Sequence, residues 1–378
     1  FHICRKARPL RALRTLEGIP VAGKRVLVRV CGDVALRPDG RPVAEGEQRL
    51  RAVLPTLRDL QERGASIVLL AHLGRPRGTV VESLRLRGVL RRLSELLETP
   101  IPVTAEVQGP SVAAAVRRLD SGAILALENL RFDPGEEGND AAFARFLAGL
   151  GDLYVNEAFA DTHRAHASLV TLPRLLPSYA GPQLVREVRV LSDVLERPAR
   201  PAIAIVSGVK IETKLKLLAN LLPRVDRLLT GGVIANTLLR ASGYAVGTSG
   251  ADREKEGDLG ALLVTYREKI VLPSDARVAR EGDTSRAVIV ALASVTAADR
   301  VYDLGPETVA AYCRVLSAAK TCVWNGPLGK FELPAFAAST RAVAECVRGE
   351  ETFSVVGGGD TVRAMAEMDC LEHFDHVS

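Results

Sequence analysis

The sequence predicts an α/β protein of two Rossmann-like three-layer domains with parallel sheets, joined by a hinge and a connecting helix. Three observations predict it. At 378 residues the chain is too long for one ordinary core. Short β-branched runs alternate with longer amphipathic stretches, the pattern of βαβ units. The alternation breaks once, at "LPRLLPSYAGP" (172–182), and then restarts.

In the first half, strands are expected at Arg25 to Val30, Ser66 to Ala71, Ile101 to Ala105, Ala123 to Leu127 and Leu153 to Val155. Gln48 to Arg63 reads as a helix, because Leu50, Val53, Leu54, Leu57 and Leu60 recur at helical spacing. The proline-rich break fits an interdomain joint near Ser178 to Pro182, and Gln183 to Glu196 reads as the connecting helix. The expected domains are therefore 1–181 and 182–378. Further strands follow at Ala202 to Val206, Arg227 to Leu229, Lys269 to Leu272, Val301 to Leu304, Thr321 to Trp324 and Phe353 to Val356.

Composition narrows the function classes. With 47% hydrophobic and 25% charged residues the chain reads as a globular protein, and runs such as Ile67 to Ala71 stop far short of a membrane span. The opening segment is basic but lacks the apolar stretch of a secretory signal, and Phe1 in place of Met suggests an incomplete or processed start. Aromatics at 4% argue against stacking platforms for nucleic acid. Six scattered cysteines without a CxxC pair point to reduced thiols in a cytoplasm.

Open parallel sheets bind ligands beyond the carboxyl ends of their strands, so the residues there are the informative ones. The first half supplies "HLGRP" (72–76), "ENLRF" (128–132) and "NEAFADTHRAHAS" (156–168). With Arg49 at a helix start, these gather His72, Arg75, Arg131, His163, Arg164 and His166 along one edge. Guanidinium forks match phosphate and carboxylate oxygens, so the expected guest carries both. The second half supplies "SGVKIETK" (207–214), "TGG" (230–232), "PSD" (273–275), "NGPLGKFE" (325–332) and "GGGD" (357–360). Glycines followed by a helix start suit a phosphate, and Lys210 and Lys214, four apart, supply positive charge. Asp360 reads either as a carboxylate for Mg²⁺ or as the N-cap of the following helix.

Taken together, "GKRVLVRV", "HLGRPRG", "LENLRF", "HRAHAS", "SGVKIETK", "WNGPLGKFE" and "GGGDT" resemble phosphoglycerate kinase, in the family's order and over nearly the whole chain. The resemblance implies reversible phosphoryl transfer between 1,3-bisphosphoglycerate and ADP, giving 3-phosphoglycerate and ATP, by a cytoplasmic monomer that binds neither nucleic acid nor membrane. It implies phosphoglycerate contacts at Asp33, Arg49, His72, Leu73, Gly74, Arg75, Arg131 and Arg164. Nucleotide contacts are implied at Lys210, Lys214, Glu332, Gly357, Gly358, Gly359, Asp360 and Thr361, with Mg²⁺ on Asp360. Arg49, Lys210 and Lys214 are the implied catalytic residues, and lobe closure the implied motion.

Two departures stand out. Where the family has "DFNVP" this chain has "CGDVA" (31–35), so an aspartate, Asp33, faces an anionic substrate. A mismatch of that kind is unfavourable by about 1 to 3 kcal/mol. The chain also stops at "HFDHVS", where the family continues into another glycine-rich loop; losing its donors would remove about 3 kcal/mol each. In "TGGVIAN", Val233 replaces a glycine, which suggests a bulkier floor to the nucleotide pocket. A catalytically impaired nucleotide-binding homologue is the rival reading. A nicotinamide dehydrogenase needs a GxGxxG that "CGDVAL" does not supply.

Overall fold

The computed structural model describes residues 13–378 except Pro38, Gly40, Lys210 and Glu350. The chain divides into two compact units, Phe1–Arg189 and Val190–Ser378.

The first unit is built on a five-stranded parallel sheet of β1 (Arg25–Arg29), β2 (Ser66–Leu70), β3 (Ile124–Ala126), β4 (Leu153–Asn156) and β5 (Ser178–Ala180), in the order β3-β2-β1-β4-β5. Strand periodicity sorts its side chains into two cores. Val26, Val28, Ile67 and Leu69 pack with Leu50, Leu57, Leu90 and Leu93 of the helices Ala44–Glu62 and Arg87–Leu97. Leu27, Val68 and Leu70 pack on the other face with Val112, Val116, Phe143 and Leu147 of the helices Pro110–Arg117 and Ala141–Ala148. Helices cover both faces, which makes the three layers. Because the chain runs outward from β1 to β3 and returns to β4 on the other side of β1, a crevice opens at the β1 and β4 carboxyl ends.

Two expectations change here. The strand expected at Ile101 to Ala105 is only a single bridge, Val103 to Ala126. The proline-rich stretch is an ordered part of the first unit: Leu172–Leu175 is a helical turn and Ser178–Ala180 is the edge strand β5. Its prolines fall where they do no harm, Pro173 in the first helical turn and Pro177 ahead of the strand, offering only its carbonyl to Tyr154 N–H (3.0 Å).

Glu157, just past β4, is buried at the start of the helix Pro182–Glu196. Thr56 Oγ1 donates to its Oε1, and Leu184 N–H donates to its Oε2 at 3.0 Å. Burial pushes this carboxyl up to about 7, against the opposing hydrogen bonds of Thr56, Leu184 and Gln183. The folded state thus holds its proton more tightly than the unfolded chain does. Its contribution is complete below the ordinary value of 4.5 and is lost as pH rises toward about 7. Glu157→Gln is expected to flatten the pH dependence of unfolding free energy across that window, a span on the order of 3 kcal/mol. Denaturant titrations of both proteins at acid and alkaline pH check it; parallel curves would refute it.

The second unit carries a six-stranded parallel sheet of β6 (Ala202–Val206), β7 (Arg227–Thr230), β8 (Ile270–Val271), β12 (Thr321–Asn325), β13 (Phe353–Gly357) and β14 (His376–Val377), ordered β14-β13-β12-β6-β7-β8. A separate antiparallel sheet joins β9 (Asp275–Arg280), β10 (Asp283–Ala291) and β11 (Asp299–Leu304) in the order β10-β9-β11. The strand expected at Val301 to Leu304 therefore exists, but pairs antiparallel outside the main sheet. "DARVAR" and "DTSRAVIVA", separated only by Glu281 and Gly282, form a hairpin, an element outside the βαβ pattern.

The cysteine reading needs correcting as well. Cys313 and Cys346 form a disulfide, with Cα atoms 5.4 Å apart. They sit on the helices Pro306–Leu316 and Ala338–Val347, which share one core through Tyr312, Leu316, Val343 and Val347. A sequence separation of 33 residues gives no hint of that proximity.

Candidate active site

In the first unit, the loops after β1 and β4 meet a third loop after β2. Gly32 makes the approach possible: a Cβ there would lie 2.9 Å from Ala71 Cβ and 3.0 Å from the His72 carbonyl oxygen. The phenylalanine expected by resemblance would require this backbone or its neighbours to shift. Asp33 follows, its Oδ1 accepting from Gly74 N–H (2.9 Å) and its Oδ2 lying 3.7 Å from His72 Nε2. Burial works against its ionisation, yet His72, the Gly74 N–H and the Arg131 charge outweigh it and hold Asp33 down at about 2. Asp33 is accordingly an anion throughout the neutral range.

Arg49 reaches in from the helix Ala44–Glu62, Nη1 donating to the Asp33 carbonyl (3.2 Å). The "HLGRP" loop is pinned by Asn129, which donates to the Leu73 and Leu84 carbonyls (2.8 and 2.9 Å) and accepts from Leu73 N–H (3.3 Å). Leu73 itself is buried, so only its backbone can serve a ligand.

Arg131 is the most telling residue. It is 1% exposed, yet only Nη1 is hydrogen-bonded, to the Gly74 carbonyl (2.6 Å). Nε lies 3.3 Å from Glu137 Oε1, and both Nε and Nη2 lack a hydrogen-bond partner among the described residues. Burial and the charge of Arg164 together lower its pKa. Arg164 has an orphaned Nε of its own, 3.7 Å from Asp161 Oδ1. Buried donors without acceptors are costly, and an anion from solution is what relieves them. Asp33, Arg49, His72, Gly74, Arg131 and Arg164 thus converge, whereas Arg75 and His163 are exposed. His166 is buried beside Glu136, 3.8 Å from its Oε1, and burial lowers its pKa.

In the second unit the order reverses between β6 and β12, and there the loops cross closely. Gly326 (φ +101°) is required: a Cβ would lie 2.0 Å from the Ser207 carbonyl oxygen. Ser207 Oγ donates to the Pro327 carbonyl (2.6 Å), and Thr361 Oγ1 accepts from Gly326 N–H (2.7 Å). Lys214, in the helix Ile211–Leu221, donates to Asn325 Oδ1, and Asn325 Nδ2 donates to the Gly357 carbonyl (2.8 Å). One lysine and one asparagine therefore tie three strand-end loops together. Burial lowers the Lys214 pKa, against the charge of Asp360. Lys210 lies outside the described residues.

The helix Gly359–Glu367 starts after Gly357 and Gly358, leaving its first N–H groups open to an anion. Its N-cap is Gly358 and no side chain caps it, which corrects the capping alternative for Asp360. Asp360 instead lies in the first turn, largely exposed, 3.9 Å from Arg363 Nη2. Glu332 is half-exposed and accepts from Arg363 (3.2 Å). An apolar cleft lined by Gly232, Ala235, Leu239, Pro273, Leu304 and Leu328 opens nearby in the chain's second unit. Val233 packs with the core that includes Leu218 and Ile234. Arg29, Asp161 and Asn325 were not singled out from sequence; only the strand order, which sets β1 against β4 and β6 against β12, exposes them.

Guanidinium groups at the switch point of one sheet, and a lysine with glycine loops at that of another, fit the class of α/β proteins that handle small phosphorylated anions. The comparisons identify which one. Residues 16–378 match the family model for phosphoglycerate kinase, and the chain belongs to that family. It is 45% identical over 370 residues to a phosphoglycerate kinase of Thermomicrobium roseum, covering 97% of this chain and 94% of the relative. It is 43% identical over 374 residues to one of a Roseiflexus species, covering 97% and 94%. The solved phosphoglycerate kinase of Coxiella burnetii superposes with a TM-score of 0.83 at 35% identity, covering 97% of this chain and 93% of that one. The reaction is reversible phosphoryl transfer between 1,3-bisphosphoglycerate and ADP, giving 3-phosphoglycerate and ATP in glycolysis.

Proposed function

We propose that the first unit holds the phosphoglycerate and the second the nucleotide, with the residues above in named roles. The observation that carries this reading is Arg131, buried with two unanswered donors at the end of one sheet. Arg131, Arg164, His72 and the Gly74 backbone bind the phosphate and carboxylate of the acid, and Arg75 closes over them from the surface. Gly357, Gly358, Gly359 and Thr361 form the nucleotide's phosphate loop, and Glu332 serves the ribose. Arg49 and Lys214, with Lys210, spread the charge of the transferring phosphoryl group. The acceptor carboxylate is already ionised at neutral pH, so no general base is required.

Mg²⁺ belongs to this reading. Asp360, a single exposed carboxylate at the glycine loop, is the donor set that a phosphate-borne Mg²⁺ asks of a protein. When bound, the ion neutralises charge on the nucleotide phosphates. Hinge-bending closure, a monomeric state, the cytoplasm as its place and freedom from nucleic acid complete the proposal. No described helix is long and apolar enough to cross a membrane.

The test uses the loop that departs from the family. Asp33 is a fixed anion beside the proposed substrate, so Asp33→Asn is expected to tighten 3-phosphoglycerate binding roughly tenfold. Calorimetric titration of both proteins reads it. An unchanged dissociation constant overturns the assignment of this loop.

A further inference from the structure

His72 is completely buried, and the two nitrogens of its ring face unlike surroundings. Nδ1 lies 2.6 Å from Nη2 of Arg29 and 3.6 Å from Oδ2 of Asp161. Nε2 lies 3.7 Å from Oδ2 of Asp33 and has no hydrogen-bond partner among the described residues. A guanidinium is always protonated and can only donate. The ring nitrogen beside it must therefore present its lone pair, which leaves the single ring proton on Nε2.

Arg29 has no freedom to turn away. Its Nε donates to Ser168 Oγ (3.1 Å), its Nη1 to the Val30 carbonyl, and its Nη2 also pairs with Asp161 Oδ2 at 3.2 Å. Ser168 is held in turn by Glu136, to which its hydroxyl donates at 2.6 Å. Every one of these groups is buried.

We propose that Arg29, anchored by Asp161, is a positioning residue that locks His72 in the Nε2–H tautomer, so that the ring offers the substrate a donor fixed at Nε2. This rests on the reading that His72 faces the phosphoglycerate. The charged and titratable groups around the ring are Arg29 from β1, Asp33 beyond it, Arg131 after β3, and Asp161 and His166 after β4. Asp33 faces Nε2 and Asp161 faces Nδ1, and Arg29 stands closer to the ring than either, at Nδ1.

The experiment is long-range ¹H–¹⁵N correlation on the full chain labelled at histidine, with the His72 signals assigned by their loss in His72→Gln. The wild-type ring is expected to show a protonated Nε2 and a bare Nδ1 at neutral pH. The opposite tautomer overturns the proposal, and this holds even if no Arg29 variant folds. Arg29→Lys is expected to let the ring sample the other tautomer and to raise KM for 3-phosphoglycerate roughly tenfold, kcat moving much less. A spectrum and a KM profile unchanged by Arg29→Lys also overturn it. His72→Gln, which keeps a neutral donor, is expected to hold KM within about threefold, and His72→Leu to raise it about tenfold. If His72→Leu leaves KM unmoved, the substrate role fails, while the wild-type spectrum still reports the tautomer independently.

Discussion

Arg131→Met is expected to raise KM for 3-phosphoglycerate roughly a hundredfold or more and, in the same protein, to raise the melting temperature of the unliganded state. The two effects have one cause. The guanidinium is buried, its Nε and Nη2 go unanswered, and burial and Arg164 both press against its charge. A desolvated cation with incomplete bonding destabilises the free fold, and an apolar side chain of similar length relieves that by about 1 to 2 kcal/mol. Glu137, its neighbour at 3.3 Å, is about one-third exposed and can return to water when the guanidinium is gone. The bound anion supplies the missing acceptors, so the same substitution removes the interaction that substrate binding depends on. Nucleotide KM should stay within about twofold, since nucleotide is assigned to the other unit. Thermal melts with and without 3-phosphoglycerate, beside steady-state kinetics, read all three quantities. A variant that melts lower and still binds substrate would make Arg131 a structural residue.

This coupling also explains what could be read from the chain and what could not. "HLGRP", "ENLRF" and "GGGD" are visible because residues at strand ends escape the apolar periodicity around them. Arg29 escapes notice for the opposite reason. It sits inside "RVLVRV", where a buried strand is expected to be apolar, and its role appears only when β4 returns beside β1 and brings Asp161 with it. Asp161 in "FADTHRAH" likewise looks like a surface acid until Arg29 and His72 are placed against it. Local pattern is blind to such pairings because they depend on strand order, a non-local property. The hairpin of β9 and β10 departs differently, pairing antiparallel where alternating strands and helices imply parallel crossovers. Asp360 shows a third limit: both a capping and a metal-binding aspartate fit after glycines, and only the backbone, with Gly358 as the cap, removes the capping role.

Lys214→Met is expected to lower kcat on the order of a thousandfold, with nucleotide affinity changed only a few-fold. Lys214 is held in surroundings that do not favour its charge. Burial lowers its pKa, its amine is spent on a neutral partner, Asn325 Oδ1, and Asp360 offers only a partial counterweight. A lysine used merely to attract nucleotide phosphates could do so from solvent with no such penalty. Fixed in place beside the β6 and β12 loops, it gains most when negative charge moves onto the transferring group, so its effect belongs to the transition state. Lys214→Arg should not rescue the rate, because a planar fork cannot take the position of a point charge packed on Asn325. The lowered pKa adds an independent reading: the alkaline limb of kcat should fall at lower pH than an ordinary lysine would give, and the Asn325→Asp variant, which adds an anion at the amine, should move that limb upward. Single-turnover kinetics with saturating nucleotide separate the step from binding. A loss confined to nucleotide KM, or a kcat within about tenfold of the wild type, would reassign Lys214 to ground-state binding.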